Sequence, residues 1–153
     1  MSSENQISFP VTGSCQCKQV QYSVQQAPSV TVVCHCIDCQ KLSAGAFSMT
    51  MIMSRENLQI TTGELEVFDR PAASGNTARC YFCKVCGNRI YHENPDKPGM
   101  IRLKPGTLDN TDVIKPDMHV WTSSAQKWVR LPDDLPCHET QPDITELFAQ
   151  GTK

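Results

Sequence analysis

The sequence predicts a small, mainly β domain stapled by metal. Three observations carry that expectation: short runs in which apolar and polar residues alternate, Gly- and Pro-rich punctuation between them, and nine cysteines at C-x-C and C-x-x-C spacings in 153 residues. Period-two alternation marks strands with one face buried. A chain of this length can bury a real core by itself, so a single domain over 1–153 is expected and the cysteines need another reason.

The elements follow in order. Gly13-Ser14-Cys15-Gln16-Cys17 opens the fold and leads into a strand where Val20, Tyr22 and Val24 alternate with Gln19, Gln21 and Ser23. Pro28 marks a turn, and Val30-Thr31-Val32-Val33 reads as a second, more buried strand that delivers Cys34. Phe47, Met49, Met51 and Met53 alternate with Ser48, Thr50, Ile52 and Ser54 in a third. Its methionine stripe reads as core packing, with the lining of a ligand cleft as the alternative. Leu58 and Ile60, then Leu65 and Val67, flank Thr61-Thr62-Gly63-Glu64, which predicts a hairpin. Pro71 to Asn76 is a loop by composition. Arg79 to Phe82 is a strand running into Cys83-Lys84-Val85-Cys86-Gly87, a zinc-knuckle signature in which the glycine permits positive φ. Arg89-Ile90-Tyr91-His92, Met100-Ile101-Arg102-Leu103 and His119-Val120-Trp121 complete the strands. Asp143, Glu146 and Gly151 frame a short C-terminal helix over Ile144 to Ala149.

Charge and termini exclude several classes. Lys plus Arg number 14 against 16 for Asp plus Glu, a formal charge of −2, and no basic run offers a nucleic-acid or membrane surface. Met1 to Ser8 lacks the basic and apolar regions of an export signal, and no apolar run is long enough to span a bilayer. The expectation is a soluble, cytoplasmic protein. With an odd thiol count and knuckle spacings, metal binding is the reading preferred to disulfides.

Eight of the thiols cluster: Cys15 and Cys17; Cys34, Cys36 and Cys39; Cys80, Cys83 and Cys86. Paired knuckles far apart in sequence close one tetrahedral site, so Cys15, Cys17, Cys83 and Cys86 form a natural closed Cys₄ set. Cys34-His35-Cys36-Ile37-Asp38-Cys39 lets a tight turn aim three sulfurs at one point about 2.3 Å from each. Three protein ligands leave a tetrahedral corner free, the mark of a catalytic zinc. Cys80 decides the matter: pointing inward it closes a second Cys₄ centre, pointing elsewhere it leaves the corner open, and spacing alone does not choose between them.

These motifs resemble the glutathione-dependent formaldehyde-activating enzymes, which share their domain with centromere protein V. The resemblance rests on Gly13 to Cys17, on Cys34 to Lys41 continuing to Gly45-Ala46-Phe47, and on Tyr81 to Gly87. It covers about residues 9 to 122, leaving 123–153 as a C-terminal extension. It implies a β-tent type zinc fold of mostly antiparallel sheets and two zinc ions per chain. One is structural, on Cys15, Cys17, Cys83 and Cys86, and one catalytic, on Cys34, Cys36 and Cys39. The implied activity is a carbon–sulfur lyase that joins formaldehyde to glutathione, giving S-hydroxymethylglutathione, or cleaves it again.

Other polar residues have narrower readings. His35, between two ligands, should point away from the metal as a hydrogen-bonding neighbour or a surface residue, and Asp38 should cap the turn. Ser43, Gly45 and Phe47 lie where a substrate backbone could approach, with loop packing as the alternative. Arg79 and Arg102 can meet glutathione carboxylates or stand solvated on their strands. His119 and Trp121, read as sharing one strand face, and nearby Trp128 suggest core or interface packing. Cys137-His138 reads as a free thiol and a surface histidine. Two other classes compete: a non-catalytic two-zinc interaction module, and a thiol redox enzyme of the methionine sulfoxide reductase type using Cys137. A zinc deaminase is excluded because no H-x-E accompanies P-C-x-x-C.

Overall fold

Period-two alternation gives the chain two sheets. The computed structural model describes residues 7–72 and 75–143. A three-stranded antiparallel sheet runs β1 (Val11–Ser14), β2 (Gln21–Val24), β5 (Leu58–Thr62). A seven-stranded sheet has the order β10-β3-β4-β9-β8-β7-β6. Its members are β3 (Val30–Cys34), β4 (Ser48–Ser54), β6 (Leu65–Pro71), β7 (Thr77–Cys83), β8 (Arg89–Glu93), β9 (Met100–Leu103) and β10 (Met118–Val120). One short helix, α1 (Ile37–Ser43), follows β3. The protein is thus mainly β, as its alternation predicts; the C-terminal helix expected over Ile144 to Ala149 lies outside the described residues.

Two pairings depart from the sequence reading. The segments on either side of Gly63 do not form a hairpin: β5 pairs with β2, and β6 pairs with β7 in the other sheet. The chain crosses between sheets at Gly63, whose φ is +87° and whose missing Cβ makes room for the carbonyl of Gln19. Alternation fixes which face of a strand is buried and is silent about its partner. The second departure is β10, which pairs parallel to β3 in an otherwise antiparallel sheet. Asp117 clamps that junction, its carboxylate accepting the Thr31 N–H at 2.7 Å and its own N–H donating to the Thr31 carbonyl at 2.8 Å.

The core lies between the sheets. Val20, Tyr22, Val24 and Leu58 from the smaller side pack against Met51, Met53, Tyr91, Ile101 and Leu103. Met51 and Met53 therefore take the core role expected of the methionine stripe. The one polar atom Tyr22 brings inside is satisfied by Thr107 Oγ1 at 2.6 Å. The registers put Val30, Val32 and Cys34, Ser48, Thr50 and Ile52, Arg102 and Lys104, and His92 on the opposite face of the large sheet. One end of that face is an apolar cluster of Val30, Val32, Ile52, Met118 and Val120. The other end is polar and charged, and the Cys34 motif stands beside it.

Replacing Gly63 with alanine should lower the unfolding free energy by at least the ~1–3 kcal/mol of a strained positive φ. The loss should exceed that of Gly75→Ala, since Gly75 has a similar φ of +86° with nothing within 4 Å of its ideal Cβ. Denaturant unfolding of both variants checks this, and equal losses would show that the Gln19 carbonyl yields.

Candidate metal centres and the surface beside them

Cys15 and Cys17 follow β1, Cys83 ends β7, and Cys86 lies in the turn beyond it. Their four sulfurs lie within 4.8 Å of one another. Cys17 Sγ is 3.5 Å from Cys15 Sγ and 3.6 Å from Cys83 Sγ. Sulfurs placed tetrahedrally at the Zn–S distance stand about 3.8 Å apart, so the spacing suits a zinc-sized ion. Backbone amides already point at the sulfurs: Val20 N–H at Cys15 (3.3 Å) and Val85 N–H at Cys83 (3.4 Å). Gly87 has φ +77°, the conformation anticipated for the knuckle glycine.

The second group is Cys34, Cys36 and Cys39, whose sulfurs also lie within 4.8 Å of one another. β3 carries Cys34 to the sheet end, where the chain turns directly into α1. Cys36 is the N-cap, its Sγ accepting the Cys39 N–H at 3.3 Å. Cys39, three residues on, is brought back over Cys36 by one helical turn. A tight turn was expected; it is the opening of a helix, and the capping role foreseen for Asp38 belongs to Cys36. Asp38 instead meets Arg70 at 3.5 Å. Side-chain hydrogen bonds from Cys34, then from Cys39, pull the Cys36 thiol far below its ordinary range, while the bonds that Cys34 makes with Cys36, then with Cys39, push Cys34 up. In this crowd the thiolate, the form a metal takes up, is favoured at Cys36, while Cys34 and Cys39 are pushed up.

Cys80 is buried on β7 and lies in neither sulfur group. Its Sγ accepts from Arg89 Nη1 at 3.1 Å and faces the Ala78 carbonyl at 3.8 Å. His35 is fully buried rather than at the surface. Its Nε2 lies 2.9 Å from His119 Nδ1, the rings stack at 5.1 Å, and Phe47 meets it edge-on at 5.5 Å. Burial lowers the pKa of both imidazoles, with His119 adding to the effect on His35. Trp121 adopts a left-handed φ of +57° and packs on the apolar cluster, so it does not share a face with His119. Trp128 is exposed. Ser43 Oγ donates to the Gln40 carbonyl at 3.4 Å, and the Gly45 carbonyl faces Gln126 Nε2 at 3.5 Å. Arg79 is held by Asp69 through two bonds of 2.8 and 3.0 Å, whereas Arg102 stands exposed on the face that carries Cys34. Cys137 is exposed and beside His119 in a short parallel bridge.

The model of the glutathione-dependent formaldehyde-activating enzymes matches residues 10–124. The chain belongs to that family. No curated protein matches it significantly. A crystal structure of a Rhodobacter sphaeroides protein, a structural genomics target, is similar at 18% identity with a TM-score of 0.51. The likeness covers 69% of this chain and 91% of that one, and it supports the fold. No helix among the described residues is long and apolar enough to cross a membrane.

In this family member the sequence reading missed Lys104. Its Nζ donates to Ser48 Oγ (3.1 Å) and Thr50 Oγ1 (3.0 Å) at the head of the thiol face. Burial pushes its ammonium down to about 8, against the pull of Cys39 and Cys34 nearby. The pattern was visible, since Arg102 and Lys104 alternate with Ile101 and Leu103. What it could not give was the strand's neighbour. His92 lies further across the same face. It accepts from Arg89 Nη1 at 3.3 Å, and because guanidinium has only donors, His92 Nε2 must be unprotonated.

Burial, then the charges of Lys104, Arg89, Arg70 and Arg102, lowers His92 to about 2. The folded protein therefore keeps His92 neutral where an unfolded histidine, with a pKa of about 6.5, gains a proton. Below that pH the unfolded state binds more protons, so stability should fall with pH by up to about 1.4 kcal/mol per unit from this group. Denaturant unfolding between pH 7 and 4.5, with bound metal monitored, should show a shallower decline for His92→Gln. Identical slopes would mean that His92 protonates in the fold.

Proposed function

We propose that this chain is a zinc-dependent carbon–sulfur lyase that forms or cleaves S-hydroxymethylglutathione or a closely related thiol adduct. The observation that carries the reading is the difference between the two sulfur groups: four donors gathered from both sheets, against three where β3 turns into α1, with Cys80 engaged by Arg89. Membership of a glutathione-dependent formaldehyde-activating family supports the choice of substrate.

In the assignment, Cys15, Cys17, Cys83 and Cys86 hold a structural zinc, and Cys34, Cys36 and Cys39 hold a catalytic one. A zinc on three thiolates would supply a site that keeps an incoming thiol deprotonated and stabilises it as a leaving group. The remaining work falls to the chain. Three thiolates outweigh a divalent cation by one negative charge, and Lys104, in electrostatic range of Cys34 and Cys39, returns the site toward neutrality so that another anionic sulfur can approach. Cys36 fixes the helix start and with it the angle of Cys39. His35, buried against Phe47 and His119, holds the backbone between the two ligands Cys34 and Cys36. Ser43, Gly45 and Phe47 border the approach. In the forward direction the thiol sulfur bonds to the formaldehyde carbon, the C=O π bond opens, and the proton lost by sulfur ends on the new hydroxyl oxygen. Cleavage is the reverse.

Metal analysis should find two zinc equivalents per chain, falling to about one in Cys36→Ser with the fold retained. Cys83→Ser should lose the structural equivalent and much of the stability that a structural zinc supplies. X-ray absorption at the zinc edge on adding glutathione should show an additional sulfur neighbour, and Cys36→Ser should abolish turnover of S-hydroxymethylglutathione. Two zincs whose surroundings ignore glutathione, with no turnover, would instead make the chain a two-zinc interaction module.

A further inference from the structure

Sheet register gathers an unbalanced set of charges on the face that carries the three thiols. His92 on β8 stands opposite Arg102 on β9 and Cys80 on β7. Lys104 follows the end of β9 two residues beyond Arg102 and turns its ammonium to Ser48 and Thr50 on this face, and Arg70 on β6 stands opposite Ala78, two residues from Cys80. Arg89 reaches onto this face, where its Nη1 meets both Cys80 Sγ and His92 Nε2. Four cations thus share one strip of sheet.

Among the described residues, little apart from the thiols beside Lys104 neutralises them. Among the described residues the only carboxylate paired with the strip is Asp38, 3.5 Å from Arg70, and Asp38 is itself 49% exposed. An ion pair open to water at that distance contributes little. Arg70 Nε is buried without a hydrogen-bond partner among the described residues. Arg89 directs Nη1 at Cys80 Sγ and at the His92 imidazole, and the hydrogen bonds of Lys104 go to two hydroxyls, leaving the nearby Cys39 and Cys34 as the groups that oppose its charge. The chain can satisfy an arginine fully, since Arg79 is forked onto Asp69, so the missing counter-charge on this face is particular to it. Crowded cations without counter-charge are stabilised by a ligand that brings the negative charge. The strip also joins the thiols directly: Lys104 feels Cys39 and Cys34 at one end, and Asp38, one residue before Cys39, touches Arg70 at the other.

We propose that Arg70, Arg89, Arg102 and Lys104 form an anion subsite that takes the carboxylates of the thiol substrate while its sulfur lies at Cys34, Cys36 and Cys39. The substrate class is then an anionic thiol peptide, and neutral thiols of similar size are discriminated against. This rests on the thiol-adduct reading above, with Arg102 as the accessible member that first meets the ligand and Arg89 and Arg70 as the deeper ones. His92, neutral and fixed by Arg89, fills the floor between them without adding a fifth charge.

The test is calorimetric binding of S-methylglutathione, which keeps both carboxylates but has no free thiol, and of its dimethyl ester, to the full chain with its metal. The diacid should bind at least tenfold more tightly, and the advantage should shrink as salt rises from 50 to 500 mM. Arg102→Gln should remove most of it, Arg102→Lys should keep most of it, and Arg79→Gln should leave it unchanged. Equal binding of diacid and diester, absence of diacid binding, or a preference indifferent to salt and to Arg102→Gln would overturn the subsite. The reaction is judged separately. Carboxylate-dependent binding without lyase turnover leaves the subsite standing and removes the reaction. Turnover of the S-hydroxymethyl diester with the kcat/KM of the diacid adduct removes the subsite and leaves the reaction.

Discussion

The convergence of Cys15, Cys17, Cys83 and Cys86 is the constraint on which the rest of the structure depends. Cys17 and Cys83 are 66 residues apart in sequence and 3.6 Å apart at sulfur. One pair follows the first strand of the three-stranded sheet and the other lies at the end of β7, next to the edge of the seven-stranded sheet, so their meeting fixes how the sheets face each other. The core between them is made of side chains that suit many arrangements, such as Val24, Leu58, Met53 and Leu103. Apolar packing is tolerant of substitution and displacement. Four sulfurs around one point are not, and a metal seated there adds its binding energy to folding.

With that junction set, the large sheet has two unlike faces. One is used up by the core. The other holds an apolar cluster at the β10 and β3 end and the polar strip of β9, β8 and β7 at the other, with Cys34 where they meet. The three-thiol group therefore borders both kinds of surface. This placement explains why so many polar residues with no role in holding the fold, Ser48, Thr50, Lys104 and His92 among them, are buried or half-buried on one face. The same face accounts for the difference between the two arginines that the sequence paired. Arg79 and Arg102 lie on adjacent parts of one sheet but on opposite sides of it.

Much of this was legible in the residues. Strands β2 and β4 follow from alternation and β3 from its apolar run, β7, β8 and β9 were placed in outline, and spacing grouped every clustered thiol except Cys80. What could not be read was whatever depends on partners distant in sequence. Gly63 looks like the centre of a hairpin because hairpins need glycine, and so does a crossover that slides past the Gln19 carbonyl. Val120 and Trp121 read as one strand, but a left-handed Trp121 ends it. Cys36 as an N-cap was hidden because sulfur is not among the customary capping atoms. Cys80 stayed open until β7 acquired a register, which set its sulfur against Arg89. Lys104 was passed over for the same reason: a lysine just beyond a strand is ordinary until the neighbours of its ammonium are known to be a pair of hydroxyls.

Gln40 has a role that reaches beyond its own helix. Its Nε2 donates to the His35 carbonyl at 2.8 Å and to the Ser124 carbonyl at 2.9 Å, and its Oε1 accepts from Gln126 at 3.2 Å. The second and third partners come 84 and 86 residues later in the chain. On the ribosome, the short segment bearing Cys34, Cys36 and Cys39 emerges early and must wait for nearly the whole of the family-matched region before its buttress exists. Assembly of the fold thus has a built-in order: local hydrogen bonding can start the helix at once, while the scaffold that steadies its three sulfurs arrives almost last.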